Sequence, residues 1–201
     1  MTPNTLFQHT DIILASSSPR RRELLAGMGV PFRIADAYPV EEVWPAGIAP
    51  QEVPSFLAAL KSKAYPGTLT ADQILITADT VVIHDGRVIG KPKNRDEAID
   101  ILHRLSGSAH EVVTGIVLRN DRTEKHLSET ARVVFGTLST SEIEYYVDCY
   151  RPYDKAGAYG IQEWIGYVGI ERIEGSFYNV MGLPTRLLYA ALTDFIRTQH
   201  L

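Results

Sequence analysis

What most narrows the fold of this 201-residue chain is the run Ile74 to Ile83, apolar almost throughout but carrying Asp79 in its middle. Its halves, Ile74 to Ala78 and Thr80 to His84, are strand-like, and such runs fall far short of the length that spans a bilayer. A carboxylate between two apolar strand segments is costly to bury unpaired, so Asp79 should face a cation, a metal or a cleft. The alternative is a residue that merely caps or bulges the strand.

Around this run the chain alternates strand and helix patterns. Ile12 to Ala15 reads as a buried strand and Pro19 to Met28 as a helix, with Pro at its first turn and Gly29 just past its end. Phe32 to Ala35 is a short strand and Pro50 to Tyr65 a helix entered through prolines. Asp85-Gly86 turns the chain into Arg87 to Ile89 as a hairpin. Asn94 with Glu97, and Ser139 with Glu142, predict capping boxes for two further helices. Val112 to Arg119 and Ala131 to Leu138 are strands bridged by polar residues Asn120 to Ser128. A last helix from Pro184 places Leu188, Ala191, Leu192 and Phe195 on one face. The mixture predicts an α/β fold with a mixed, partly antiparallel sheet and flanking helices, read as one continuous unit over residues 1–201.

With 20 Lys+Arg against 24 Asp+Glu the formal net charge is −4, which argues against a broad basic face for nucleic acid. A small anionic ligand needs only a few well-placed cations. The polar stretch Met1 to Asp11 lacks the pattern of a secretory signal, and Cys149 is the single cysteine. A cytoplasmic protein, bound to no membrane, is expected.

The segment Leu14 to Arg22, LASSSPRRR, brings three hydroxyls and free backbone N–H groups to a helix N-terminus, where an anion is favoured. Arg20 and Arg21 carry the wrong sign for that dipole. A bound polyanion would turn the cost to use, because guanidinium forks match phosphate oxygens. Without one, the segment is a solvated basic helix start with a serine cap. Gly90-Lys91-Pro92 lacks the spacing of a nucleotide P-loop, since Pro92 stands where a magnesium-binding hydroxyl would be. Lys91 remains a candidate phosphate cation or a plain surface lysine. Lys61 and Lys63 point in different directions on one helix, so at most one should enter a site. Glu41 and Glu42 offer hard oxygens for Mg²⁺ or Mn²⁺, or are paired surface acids. No spacing suggests zinc, and no GxSxG elbow supports a serine nucleophile. In Asp154 to Gln162, small residues surround Tyr159. Backbone could approach a planar ligand there, with Gln162 reading a base edge, or the stretch could be a tight loop with a packing tyrosine.

Taken together, LASSSPRR (Leu14 to Arg21), Glu41-Glu42, LAALKSKA (Leu57 to Ala64), ADTVV (Ala78 to Val82), GKP (Gly90 to Pro92), RLSG (Arg104 to Gly107), DKAGAYGIQ (Asp154 to Gln162) and VMGLP (Val180 to Pro184) resemble, in order, the Maf family of nucleoside triphosphate pyrophosphatases. The resemblance implies two lobes around a deep cleft, similar to inosine triphosphate pyrophosphatases, and a possible homodimer. It makes Asp79 the catalytic base, and Ser16, Arg20, Arg21, Lys61 and Lys91 the substrate-binding residues. Glu42, rather than Glu41, and Asp79 would hold a divalent metal, Mg or Mn. DKAGAYGIQ resembles the subgroup acting on dTTP and UTP, in which residues matching Arg20, Thr80 and Gln162 govern substrate choice. Ser62 and Glu163-Trp164-Ile165 depart from the family pattern. The activity implied is hydrolysis of dTTP and UTP, and of modified pyrimidine nucleotides as house-cleaning, to the monophosphate and pyrophosphate. The alternative is a nucleotide-sensing binding protein in cell-division (septum) control whose hydrolysis is slow or incidental.

Overall fold

Strand β1 (Asp11–Leu14) leads through a serine-rich loop into helix α1 (Pro19–Gly27), whose first turn is capped by Ser18 Oγ accepting from the Arg21 backbone N–H. The structure, a computed structural model, describes residues 6–8 and 10–199, with Gln199 described in its backbone alone. The stretch Met1 to Asp11, read above for a leader, therefore lies partly outside the described residues.

Next come β2 (Arg33–Ile34), an irregular segment, a short 3₁₀ turn at Pro50–Glu52 and helix α2 (Val53–Ala64). The proline-rich entry predicted as helix is thus 3₁₀ for its first three residues. Strand β3 (Gln73–His84) runs unbroken through Asp79, and Asp85-Gly86, both at positive φ (48° and 69°), turn it into β4 (Arg87–Ile89). Helix α3 (Arg95–Leu105) precedes β5 (Ala109–Arg119) and β6 (Glu124–Phe135). After helix α4 (Thr140–Tyr150) come α5 (Trp164–Val168), β7 (Ile170–Glu174), α6 (Phe177–Met181) and α7 (Thr185–Gln199). Among the described residues seven strands form a sheet in the order β2-β1-β3-β5-β6-β7, with β4 also paired to β3. The β1 pairs are parallel, whereas β3–β4 and β6–β7 are antiparallel, as the mixed pattern predicts.

Two local expectations are corrected. Asn94 caps α3 by accepting from Glu97 N–H, but the Glu97 carboxylate takes the N–H of Lys93 instead of closing a box. The box at Ser139 and Glu142 is complete. The polar bridge from Asn120 shortens to a turn in which Asn120 Oδ1 accepts from the Arg122 and Thr123 N–H groups. Beyond it β6 alternates exposed Glu124, His126 and Ser128 with half-buried Lys125, Leu127 and Glu129, a period of two that polarity hides.

The chain divides into two compact units, with the boundaries falling inside β3, β5 and β6. The first holds the chain up to Asp79, Thr114–Glu129 and the chain from Gly182; there Ile13, Ala15, Leu69 and Leu75 pack together. In this unit Gly115 of β5 meets the start of α2 so closely that a Cβ would lie 2.4 Å from Ser55 N. The second unit, Thr80–Val113 and Thr130–Met181, packs Ala98, Ile101, Leu102 and Leu105 of α3 against Ile143, Tyr146 and Val147 of α4. Cys149 is exposed on α4. Among the described residues no helix is long and apolar enough to cross a membrane.

Candidate active site

The first unit gathers the charged residues that the sequence singles out, apart from Lys91. Asp79 is buried, 7% exposed, on a strand flanked by apolar residues. The cation expected beside it is Lys61, whose Nζ lies 2.6 Å from Asp79 Oδ1. Lys61 Nζ also lies 3.0 Å from Glu42 Oε1. Between the paired glutamates, both exposed on the same irregular segment, it is Glu42 that reaches the ammonium. Lys63, one residue past the buried Ser62, is exposed on α2.

Lys61 owes its place to the end of its helix. Tyr38 donates its hydroxyl to the Lys61 carbonyl at 2.9 Å. Arg119, at the end of β5, donates Nε to Ser62 Oγ at 2.9 Å and Nη2 to the Ser62 carbonyl at 2.5 Å. Carbonyls in a last helical turn have no partner within the helix, so a cation there is favoured. Neither Tyr38 nor Arg119 was read as a site residue: nothing in their local sequence announces a partner so far along the chain.

Arg21 is placed differently from the open phosphate fork expected of it. Its Nε donates to the Gly182 carbonyl and its Nη1 to the Ala78 carbonyl, both at 2.8 Å, with Ser16 Oγ 3.4 Å from Nη1. The guanidinium ties the carbonyl beside Asp79 to α1 and to the VMGLP segment. Burial lowers the Arg21 pKa, with Asp79 and Glu42 acting against the shift and Arg20 adding to it. Those influences put Arg20, Arg21, Glu42 and Asp79 in one electrostatic neighbourhood. Arg20 is half-buried, and so is Arg22. Ser16 Oγ accepts from Ser18 N–H at 3.2 Å, shaping the loop. Three cations and two carboxylates thus share a small volume of an acidic protein, which suits a ligand carrying several negative charges.

Glu42 and Asp79 fit a divalent cation by chemistry, since both are hard oxygen donors converging on one positive group. Among the described residues no group of three or more His, Cys, Asp or Glu is placed to hold a metal. A phosphate chain and water would complete the shell, the usual arrangement for Mg²⁺ with substrate phosphates.

Lys91, Thr80 and Gln162 belong to the second unit. Lys91 is exposed after β4, beside Gly90, whose carbonyl accepts from Gly157 N–H at 3.1 Å. Thr80 is half-buried next to Asp79 on β3. Gln162 is half-buried, and its Oε1 is sealed from solvent with no hydrogen-bond partner among the described residues.

The sequence model of a family described as "Maf-like protein" matches residues 11–195 of this chain. The chain belongs to that family. Among its relatives, a "dTTP/UTP pyrophosphatase" of Porphyromonas gingivalis (strain ATCC 33277) is 52% identical over 186 residues, covering 92% of this chain and 94% of that protein. A protein of the same description from Bacteroides thetaiotaomicron is 49% identical over 181 residues, covering 90% and 94%. Among solved structures, a HAM1 protein from Coxiella burnetii aligns with 92% of this Maf chain and 99% of its own at 16% identity and a TM-score of 0.48.

Proposed function

We propose that this Maf protein hydrolyses dTTP and UTP between the α and β phosphates, releasing the nucleoside monophosphate and pyrophosphate, with modified pyrimidine triphosphates as further substrates. The observation that carries the reading is the buried Asp79 carboxylate held by Lys61, with Glu42 on the same ammonium and Arg21 anchored behind it. The names of relatives about half identical over nine-tenths of the chain support the substrate.

Asp79 orients and deprotonates the attacking water, a task for a fixed carboxylate. Lys61 and Arg20, with Lys91, offset charge on the departing pyrophosphate. Arg21, with two nitrogens given to backbone carbonyls, adds positive charge and holds the strand at Ala78. Mg²⁺ or Mn²⁺ on Glu42 and Asp79, when bound, would neutralise phosphate charge and polarise the phosphorus under attack. Arg20, Thr80 and Gln162 set the preference for the base. The unpaired Cys149 suits a cytoplasmic enzyme, and the family resemblance adds a homodimer.

The test is Asp79→Asn. We expect turnover to fall by about 10²–10⁴-fold, the usual worth of a general base, while the nucleotide dissociation constant, measured by calorimetry, changes by less than about tenfold. Equal losses in both contradict the base. A wild type that binds one nucleotide per chain and releases no pyrophosphate is instead a sensor.

A further inference from the structure

Gln162 sits in a tight turn whose two ends are joined by one hydroxyl. The Glu163 N–H donates to the Gly160 carbonyl at 3.0 Å, closing the turn 160–163. Tyr146, fully buried on α4, accepts the Gly160 N–H at 2.9 Å and donates its own proton to Glu163 Oε2. Lys155, 8% exposed, sets its ammonium 3.1 Å from Glu163 Oε1 and 2.7 Å from Asp154 Oδ1. A Cβ on Gly160 would lie 2.8 Å from Glu163 Cδ, so a side chain there would have to displace the Glu163 carboxylate. Burial and the Glu163 carboxylate push the Tyr146 phenol well above its ordinary pKa, so the hydroxyl remains a donor.

All these groups lie in the second unit, and apart from Gln162 none has a part in the proposed hydrolysis. Glu163 also falls in a stretch where the sequence departs from the pattern of the family it resembles. The network encloses a residue in an unusual state, since the sealed Gln162 Oε1 has no partner. An unpaired buried carbonyl is costly, and the staple of Tyr146 and Glu163 fixes the backbone of the turn from which the Gln162 side chain leaves. With the oxygen sealed, Gln162 can offer only its NH₂, a donor. The carbonyl at position 4 of uracil and thymine accepts that donor, whereas the 4-amino group of cytosine, itself a donor, opposes it. A flipped carboxamide would present the reverse pattern.

We infer that Glu163 and Tyr146 are positioning residues that hold Gln162 in the one orientation that accepts uracil and thymine and rejects cytosine. The inference rests on the proposed role of Gln162 in substrate choice. It goes further in naming what fixes that residue and which base is excluded. Lys155 neutralises Glu163, so the staple is carried by a carboxylate whose charge is balanced inside the unit.

The experiment compares kcat/KM for UTP and CTP in wild type, Glu163→Gln, Tyr146→Phe, Gln162→Ala and the double variant Glu163→Gln/Gln162→Ala. Both staple variants are near-isosteric, and should Tyr146→Phe fail to fold, Glu163→Gln decides. We expect each staple variant to lower the UTP-to-CTP ratio by about tenfold, chiefly through a gain with CTP, a shift within the reach of one hydrogen-bonding group. The double variant should be no less selective than Gln162→Ala alone, because the staple acts through Gln162. If Gln162→Ala lowers the ratio and the staple variants do not, or if the losses add, the inference is overturned and the role of Gln162 stands. If Gln162→Ala leaves the ratio unchanged, the base-reading role falls and the inference with it.

Discussion

Asp79 shows how far a single residue can be read. A carboxylate in an apolar strand implied a cation, and the cation is there, 2.6 Å away on Lys61. Which of several cations it would be did not follow from the sequence, since sequence separation carries no distance. Arg21 shows the other limit: its first-turn position pointed to a phosphate ligand but gave no sign of the two backbone carbonyls to which its Nε and Nη1 donate. Carbonyl partners leave no mark in a sequence, because every residue has one. His110 was not singled out at all, yet it is buried, with Nε2 2.8 Å from the Tyr159 hydroxyl and Nδ1 unpartnered. Burial, and then the nearby His84, lower its pKa to about 4. The unfolded chain therefore binds a proton in the interval below about pH 6.5 that the folded protein refuses. The resulting stability is present above that pH and is lost as pH falls toward about 4, by up to about 3 kcal/mol for a shift of this size. Urea unfolding of His110→Gln across this interval should show a flatter pH dependence than wild type. Parallel slopes would contradict the assignment.

At the level of elements, the sequence was clearest where hydrophobic period and capping agree. The helices α1, α3, α4 and α7 lie close to where their caps and apolar faces place them. The chain from Trp164 to Met181 was less legible: α5, β7 and α6 are five residues each, too short for a period to declare itself. Contacts between elements were invisible too, and Gly115 is the sharpest case. Alanine there would drive its Cβ to 2.4–2.6 Å from Ser55 N, Ser55 Cα and Pro54 C, backbone atoms that cannot move aside singly. Gly115→Ala should cost about 1–3 kcal/mol, the usual penalty for overpacking. By contrast, a Cβ on Gly27, at the end of α1, meets nothing within 4 Å. Gly27→Ala should leave stability unchanged or raise it by up to about 1 kcal/mol. Chemical denaturation of the pair checks both, and equal effects would contradict the close approach of β5 to α2.

For the molecule as a whole, the formal charge of −4 describes a surface that discourages broad polyanion binding. The cluster of Arg20, Arg21 and Lys61 around Asp79 and Glu42 is the local exception, and it is where the proposed function is assigned. Segments far apart in sequence build it. Ser16 to Arg21 supply the loop and helix start, Glu42 the irregular segment, Lys61 the helix end, Asp79 the central strand and Gly182 the carbonyl that anchors Arg21. The motifs showed which segments matter, while the ammonium shared by two carboxylates required the fold. The most direct measurement is phosphorus NMR of the wild-type protein with excess dTTP, UTP or 7-methyl-GTP and Mg²⁺ or Mn²⁺. The account predicts many turnovers of dTTP and UTP, with monophosphate and pyrophosphate rising together and 7-methyl-GTP spared. Release of orthophosphate with a nucleoside diphosphate, or product that stops at one equivalent per chain, would contradict it.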